Sequence, residues 1–329
     1  MKVKVKVYVY GLCNVFYDGY YIQGLKEHYN NIEFNTSKFP KFRGDIFAFI
    51  IEHDNYSRKI IIDSKDMSHI NLPELEWCDV YGKVNYNSNN FPSTNQEKII
   101  AIGPSFGIQI WNLFQSLYYL TFNFIRFRNS IFNKKEFVSN YWHQYKRLKL
   151  KKYTVTESSV NEVFFLNSIW KKENETNNNR ALFIKTCKKN QKLNFEGGFI
   201  TRSNNNNLGF DDLIYSKKIP LKNYIKKIKN SAFVFNTPAV LSCHGWKLAE
   251  FLALGKAIIT TSHRNKLPID LLNEKHLLYA ENQLEINNAI ERLITDATFK
   301  KELEMESRKY FDTYLAPKEV IKRLLEKSK

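Results

Sequence analysis

The segment Ser231 to Thr261, SAFVFNTPAVLSCHGWKLAEFLALGKAIITT, constrains the fold of this chain more than any other. Phe233, Val234 and Phe235 form a short apolar run, and Asn236, Thr237 and Pro238 end it. A proline cannot donate to a strand ladder, so the run reads as a strand that stops there. From His244-Gly245 onward, Leu248 and Leu252, and Ala249 and Ala253, recur at helical spacing, and Gly255 supplies the stop. Lys256 to Thr261 then reads as a strand covered on both faces, as strands of parallel sheets are. The segment is therefore predicted to be strand, loop, helix, strand.

Polar groups gather at one end of this unit. Cys243, His244 and Gly245 fall where the helix opens, with Lys247 and Glu250 in its first two turns. A helix start with a glycine for close approach and a lysine beside it suits a phosphate-bearing ligand. A carboxylate further along suits the hydroxyls of a ribose.

These residues resemble the donor-binding motif of the GT-B glycosyltransferases, in particular the C-terminal domain of bacterial families 1 and 4. The resemblance rests on His244-Gly245-Trp246-Lys247, Glu250 and the exit Ala253-Leu254-Gly255-Lys256-Ala257-Ile258-Ile259. It is sharpest from Glu162 to Ser262. Many retaining members carry two glutamates eight positions apart. Here Glu250 fits the second and Ser242 stands at the first, which leaves retention or inversion open. The resemblance implies an α/β fold of two Rossmann-like domains facing across a cleft. It implies an N-terminal acceptor-binding domain over 1–152 and a C-terminal nucleotide-sugar-binding domain over 153–329, whose last helix packs back on the first. It also implies a nucleotide sugar as donor substrate and a glycan or lipid-linked glycan as acceptor.

The bulk of the chain agrees with two domains. It has 329 residues, 43% of them hydrophobic and 15% aromatic, enough for real cores. Cys13, Cys78, Cys187 and Cys243 are far apart in sequence, without the spacing of a zinc site or a disulfide framework, so a reducing cytoplasm is expected. Met1 to Gly11 alternates charged and apolar residues and reads as a first strand rather than a signal peptide. No run approaches the roughly 18 apolar residues of a membrane span.

Strands are expected at Val3–Tyr10, Asp45–Ile51, Lys59–Ile62, Cys78–Val84 and Lys98–Ile102, with a helix at Phe16–Tyr29. That alternation predicts a parallel first sheet. The second half restarts with a strand at Glu162–Leu166, a polar loop at Asn177–Asn179 leading into a helix from Arg180, and a strand at Lys192–Phe195 ended by Gly197-Gly198. Helices are expected at Leu221–Ile228, Leu284–Ile294, Phe299–Tyr314 and Pro317–Lys329.

The net charge of +17 calls for an anionic partner such as a nucleotide, a nucleic acid or an acidic membrane surface, or reflects a generally solvated basic surface. Leu113 to Lys152 interleaves aromatic rings, among them Tyr118, Phe122, Phe132 and Trp142, with nine lysines and arginines against one acid, Glu136. It reads either as aromatic core with a charged outer face or as a patch for acidic membranes.

A departing nucleoside diphosphate needs counter-charge. Without a metal ion this comes from cationic side chains and helix starts. On the resemblance, Arg180, His244, Gly245, Lys247 and Glu250 are expected to bind the donor, with no metal ligands and no cofactor beyond that substrate. Asp63, after the strand Lys59–Ile62, is the first candidate for the acceptor's base and Asp18 the second. Carboxylates in such places are also ordinary turn formers. No G-x-G-x-x-G, G-x-x-x-x-G-K-[ST] or G-x-S-x-G pattern is present. Two rival readings remain, a basic nucleic-acid-binding protein, for which no motif is found, and a non-catalytic sugar- or lipid-binding scaffold.

Overall fold

A computed structural model describes residues 5–42, 46–53, 56–90 and 94–327. The chain divides into two compact units, one of residues 1–152, 266–268 and 314–329, the other of 153–265 and 269–313.

In the first unit β1 (Lys6–Tyr10) leads to α1 (Val15–His28), β2 (Ile32–Asn35), β3 (Phe47–His53) and β4 (Tyr56–Asp63). Next come α2 (Leu72–Trp77), β5 (Val80–Lys83), β6 (Ile99–Ala101), α3 (Leu113–Phe127) and α4 (Lys134–Tyr145). The six strands form one sheet in the order β2-β1-β3-β4-β5-β6. The sheet is not wholly parallel, contrary to expectation. β3 runs antiparallel to both β1 and β4, whereas the β1–β2, β4–β5 and β5–β6 pairs are parallel. The physical reason is the short connection after His53, which permits a hairpin but not the long crossover a parallel pair needs. Residues 3, 4 and 45, expected in strands, lie outside the described residues. β2 and α2 were not foreseen.

α1 begins at Asn14, whose side chain accepts from the Phe16 amide at 3.1 Å. The helix thus starts one residue before the expected Phe16, and Asp18-Gly19 lies inside it. A core of Tyr8, Ile50, Ile61, Leu75 and Tyr81 packs beneath the sheet.

In the second unit β7 (Glu162–Ser168) pairs parallel with β8 (Asn194–Ile200) around α5 (Asn174–Lys189). After α6 (Leu221–Asn230) come β9 (Val234–Asn236), α7 (Trp246–Ala253), β10 (Ile258–Thr260) and β11 (Leu278–Tyr279), the three strands forming a parallel sheet. β7 is tied to the segment before β9, since the Ala232 amide donates to Glu162 O at 2.7 Å and the Phe164 amide to Ser231 Oγ at 3.0 Å. α8 (Gln283–Thr295), α9 (Ala297–Tyr310) and α10 (Pro317–Glu326) close the chain, α10 within the first unit. The strand expected to end at Gly197-Gly198 runs through both glycines, and residues 177–179 lie inside α5 rather than in a loop.

The Phe165, Phe183 and Phe235 rings sit at the centre of the second core, Phe183 and Phe235 stacked at 4.3 Å. Leu248 and Leu252 are fully buried on α7, and truncating either to alanine would cost about 2–5 kcal/mol. Gly255 takes φ +58° just past the helix. A side chain there would strain the backbone and press on Val155, so the glycine stop is geometrically required. Lys256 follows, with its ammonium buried against Ser231 O at 2.5 Å and Lys229 O at 3.0 Å. It thereby satisfies carbonyls at the C-terminal end of α6.

Back in the first unit, α10 packs on α1 at Gly24, where a Cβ would fall 2.3 Å from Pro317 O. The Arg58 guanidinium anchors the far end of α10 through Leu324 O and Leu325 O.

Candidate functional site

Parallel strands leave their C-terminal ends, and the loops after them, free to hold ligands. In the second unit the ends of β7, β8 and β9 surround a cavity of about 440 Å³. β7 contributes Leu166, Asn167 and Ser168, β8 Ile200, and β9 Phe235, Asn236 and the following Thr237. Arg180 enters from α5, Gly245, Trp246 and Lys247 from the head of α7, and Trp170 and Tyr224 add aromatic walls. Two of these lining side chains are cationic, and none of the described lining residues is acidic.

Arg180 lies in the second turn of α5 and not at its start, as the sequence had suggested. It is 4% exposed. Its Nε donates to Thr237 Oγ1 and its Nη1 to Ser168 O, both at 2.9 Å. The two bonds fix the guanidinium across the ends of β7 and β9. Burial lowers its pKa to about 10, so it stays charged at neutral pH.

Lys247 is half-buried in the first turn of α7, and its ammonium turns inward. Nζ donates to Leu166 O and, at 2.8 Å, to Asn167 Oδ1. Loss of hydration pushes its pKa down to about 7; nearby Arg180 lowers it further and Glu250 opposes both. The cavity thus holds two poorly hydrated cations that repel each other. An anion between them would relieve both penalties.

Gly245 caps α7 in extended geometry, φ −77°, and no side chain caps the helix there. A Cβ at Gly245 would sit 3.4 Å from Ala239 Cβ, an ordinary contact. Neither backbone nor packing demands glycine here, and without a side chain at this position the helix start is open.

His244 and Glu250 are placed differently from Arg180, Gly245 and Lys247. Both are buried, and neither lines the cavity. His244 packs against His263, ring centroids 5.5 Å apart. His263 in turn lies 3.4 Å from Asn236 Nδ2 and 3.3 Å from the Tyr279 hydroxyl. Burial, with His244 nearby, pushes the His263 pKa down to about 3. His244, expected to bind the donor, thus has a packing role. Glu250 is close enough to favour the charged form of Lys247.

The two carboxylates singled out in the first unit are also buried. Asp63 ends β4 at 1% exposure, with Oδ2 2.8 Å from the Lys83 ammonium and 2.6 Å from the Tyr81 hydroxyl. Its Oδ1 accepts from the Lys65 amide at 3.0 Å. Desolvation lowers the Lys83 pKa, and Asp63 counteracts it. Asp18 lies in the first turn of α1 and accepts from the Asn14 amide at 2.9 Å. Each carboxylate thus also accepts from a nearby backbone amide, Asp63 at the end of β4 and Asp18 at the start of α1.

A larger hollow of about 1080 Å³ lies at the opposite ends of β7 and β8. Its charges are mixed, with Lys227 paired to Glu196, so it lacks the single-sign character of the first cavity. Among the described residues no group of three or more His, Cys, Asp or Glu could hold a metal ion. No described helix is long and apolar enough to cross a membrane.

Sequence reasoning missed Asn167, Ser168, Thr237, Trp170 and Tyr224. The first three had a readable signal, since each is a polar residue directly at the end of an apolar strand. The aromatic walls had none.

The fold and site define an α/β protein with an anion-suited cavity at the C-terminal ends of parallel strands. No protein-family model matches the chain, and no curated protein matches it by sequence. In structure it is similar to glycosyltransferases. The C-terminal domain of a glycosyl transferase group 1 family protein (LpcC) from Francisella tularensis aligns at 16% identity and TM-score 0.36, covering 50% of this chain and 96% of that one. A glycosyltransferase from Rickettsia africae aligns at 12% identity and TM-score 0.45, covering 79% and 67%. Anabaena HepE, solved in complex with UDP, aligns at 9% identity and TM-score 0.42, covering 75% and 71%.

Proposed function

We propose that this protein is a glycosyltransferase that moves a sugar from a nucleotide-sugar donor to a glycan or lipid-linked glycan, as a step in polysaccharide assembly. The observation that carries the reading is the pairing of Arg180 and Lys247 in a cavity without acidic lining, at the head of α7. The motif around Gly245 and Lys247 adds the class of ligand. In this reading the donor's diphosphate lies between Arg180, Lys247 and the open helix start at Gly245. The nucleoside lies against the aromatic walls. The two cations and the helix start stabilise the leaving diphosphate, so no metal ion is required.

Glu250 acts through Lys247 by keeping it protonated, and His244 fixes the loop before α7 by packing on His263. Asp63 and Asp18 are retained as candidates in a narrower role. Asp63, with Lys83 and Tyr81, sets the charge at the end of β4. An Asp63→Asn enzyme that keeps the shape of its pH–rate profile would assign it to positioning, and loss of one limb to proton transfer.

The test is a calorimetric and thermal-shift screen with UDP, GDP, CMP and dTDP and their sugars. A ligand of the native state raises the melting temperature as it saturates. One nucleotide diphosphate or its sugar is expected to bind without added metal and in the presence of EDTA. If none binds, or if binding and turnover require Mg²⁺ or Mn²⁺, the reading fails. Hydrolysis of the bound sugar nucleotide excludes a non-catalytic scaffold. Salt-sensitive binding of nucleic acid without nucleotide binding would favour the nucleic-acid reading.

A further inference from the structure

α3 carries apolar side chains on both of its sides, Tyr119 stacking inward on Trp111 at 4.6 Å and Phe124 packing on Phe137. The residues it buries include Ser116 and Asn123, with Phe127 at its end. Asn123 donates to the Tyr141 hydroxyl at 2.9 Å, which ties α3 to α4. Its outward face carries Phe114, Leu117, Tyr118, Phe122 and Ile125, all exposed, Phe114 to 80%. At 100° per residue these side chains fall on one stripe. In the turn after α3, Phe132 is fully exposed. A helix that is apolar toward solvent requires a partner.

The charges around the stripe identify that partner. Arg128, Lys134 and Lys135 flank Phe132 and are exposed, and Lys146, Lys149, Lys151 and Lys152 are exposed further along. Glu136 is the single acid between Leu113 and Lys152. Fifteen residues make a helix about 22 Å long, long enough to lie in a membrane interface and too short to span the bilayer. Apolar and aromatic side chains in a stripe, bordered by lysines and arginines, fit the boundary between acyl chains and anionic headgroups.

We propose that α3 and the following turn dock this protein on the surface of an anionic lipid bilayer. Phe114, Tyr118, Phe122, Ile125 and Phe132 enter the headgroup boundary, while Arg128, Lys134 and Lys135 meet lipid phosphates. The proposal deepens the glycosyltransferase reading by favouring a lipid-linked acceptor, but the docking itself does not depend on nucleotide binding.

The experiment is co-sedimentation of the full chain with phosphatidylcholine vesicles, with and without phosphatidylglycerol, across a salt series. Nucleotide affinity and self-association are measured on the same samples. Binding is expected to favour the anionic vesicles and to weaken as salt shortens the screening length. The combined variant Phe114→Ser, Phe122→Ser and Ile125→Ser should lose about tenfold or more of that binding. Its nucleotide affinity should be unchanged and its melting temperature should shift little, because Phe114 and Ile125 are mostly exposed and Phe122 is about half exposed. A second variant, Arg128→Glu with Lys134→Glu and Lys135→Glu, should abolish the preference for anionic vesicles. Negligible binding to both vesicle types overturns the proposal, as does anionic binding that the apolar variant leaves intact. Concentration-dependent self-association that disappears in the apolar variant would also overturn it, by assigning the stripe to a second copy of this chain. Loss of vesicle binding with nucleotide binding intact removes this inference alone, and the reverse result removes only the donor site.

Discussion

The cavity at the head of α7 and the outer face of α3 reverse the usual rule in opposite senses. The first buries cations, and the second exposes aromatic and aliphatic side chains. Folding alone favours neither. Burying a cation raises its free energy unless it is paired. Leaving apolar area in water forgoes roughly 25 cal/mol for each Å². Natural sequences accept such local conflicts where a ligand resolves them. On the two proposals, the first region takes an anion that enters the protein and the second an anionic surface that the protein enters.

The largest effect that would break this comparison is expected at Arg180. Arg180→Gln removes the buried charge that the diphosphate is proposed to neutralise, and affinity should fall by about a hundredfold or more, as a charged hydrogen bond and a close ion pair are lost together. Calorimetry at neutral pH reads this directly. Unchanged affinity would make Arg180 a brace between β7 and β9 and nothing more.

Next in size is the pH dependence set by Lys247. Its pKa in the fold is about 7, below the usual lysine value of 10.5. Between those values the unfolded chain holds a proton that the fold lacks, so Lys247 makes stability rise with pH across that window. Below pH 7 its cost to stability is fully present. Diphosphate binding needs the protonated form and should therefore weaken by about tenfold per unit above pH 7, with proton uptake on binding. Lys247→Met should bind weakly and remove this slope. A flat profile in the parent protein would place the anion elsewhere.

Glu250→Gln sharpens the comparison further. A loss of roughly tenfold in nucleotide affinity is expected near pH 7, because the support for the charge on Lys247 is gone. At pH 6 most of that loss should vanish, since a larger share of Lys247 is then protonated in the variant. A loss that persists at pH 6 would restore the direct ribose contact suggested by the motif resemblance.

The smallest effect is expected at Gly245. Gly245→Ala should melt like the parent protein, because its Cβ meets only an ordinary contact. Nucleotide affinity should nonetheless drop several-fold, by obstruction at the open start of α7. A drop in melting temperature without a change in affinity would reverse this assignment.

Elements whose evidence is local were legible. Asn236-Thr237-Pro238 ends β9, Gly255 stops α7, and Pro317 opens α10 where the sequence indicates. Turn chemistry, helical spacing and a required positive φ all act within a few residues. Boundaries set by longer-range contacts were missed. Asn177 reads as loop composition, yet inside α5 its side chain closes on the Trp170 backbone, with bonds of 3.0 and 2.7 Å to its amide and carbonyl. β3 is a continuous apolar run like a buried parallel strand, and only its pairing with β1 and β4 reveals that it runs antiparallel. Of the proposed donor residues, Gly245 and Lys247 come from a local motif and Arg180 from its place after a strand. The burial of His244 against His263 could not be read from residues nineteen positions apart.

By itself, then, the sequence determined the β9–α7–β10 unit, the type of nearly every helix and the concentration of charge near α3 and α4. Backbone hydrogen bonding, glycine conformations and hydrophobic period are properties of short segments. Tertiary structure alone decided that Arg180 reaches across from α5 to Thr237, and that Lys247 turns inward to the end of β7. It decided too that Asp63 closes on Lys83, and that α3 faces the protein with Ser116 and Asn123. Each of these depends on which elements become neighbours, and desolvation acts on a charge or an apolar ring only once those neighbours are in place.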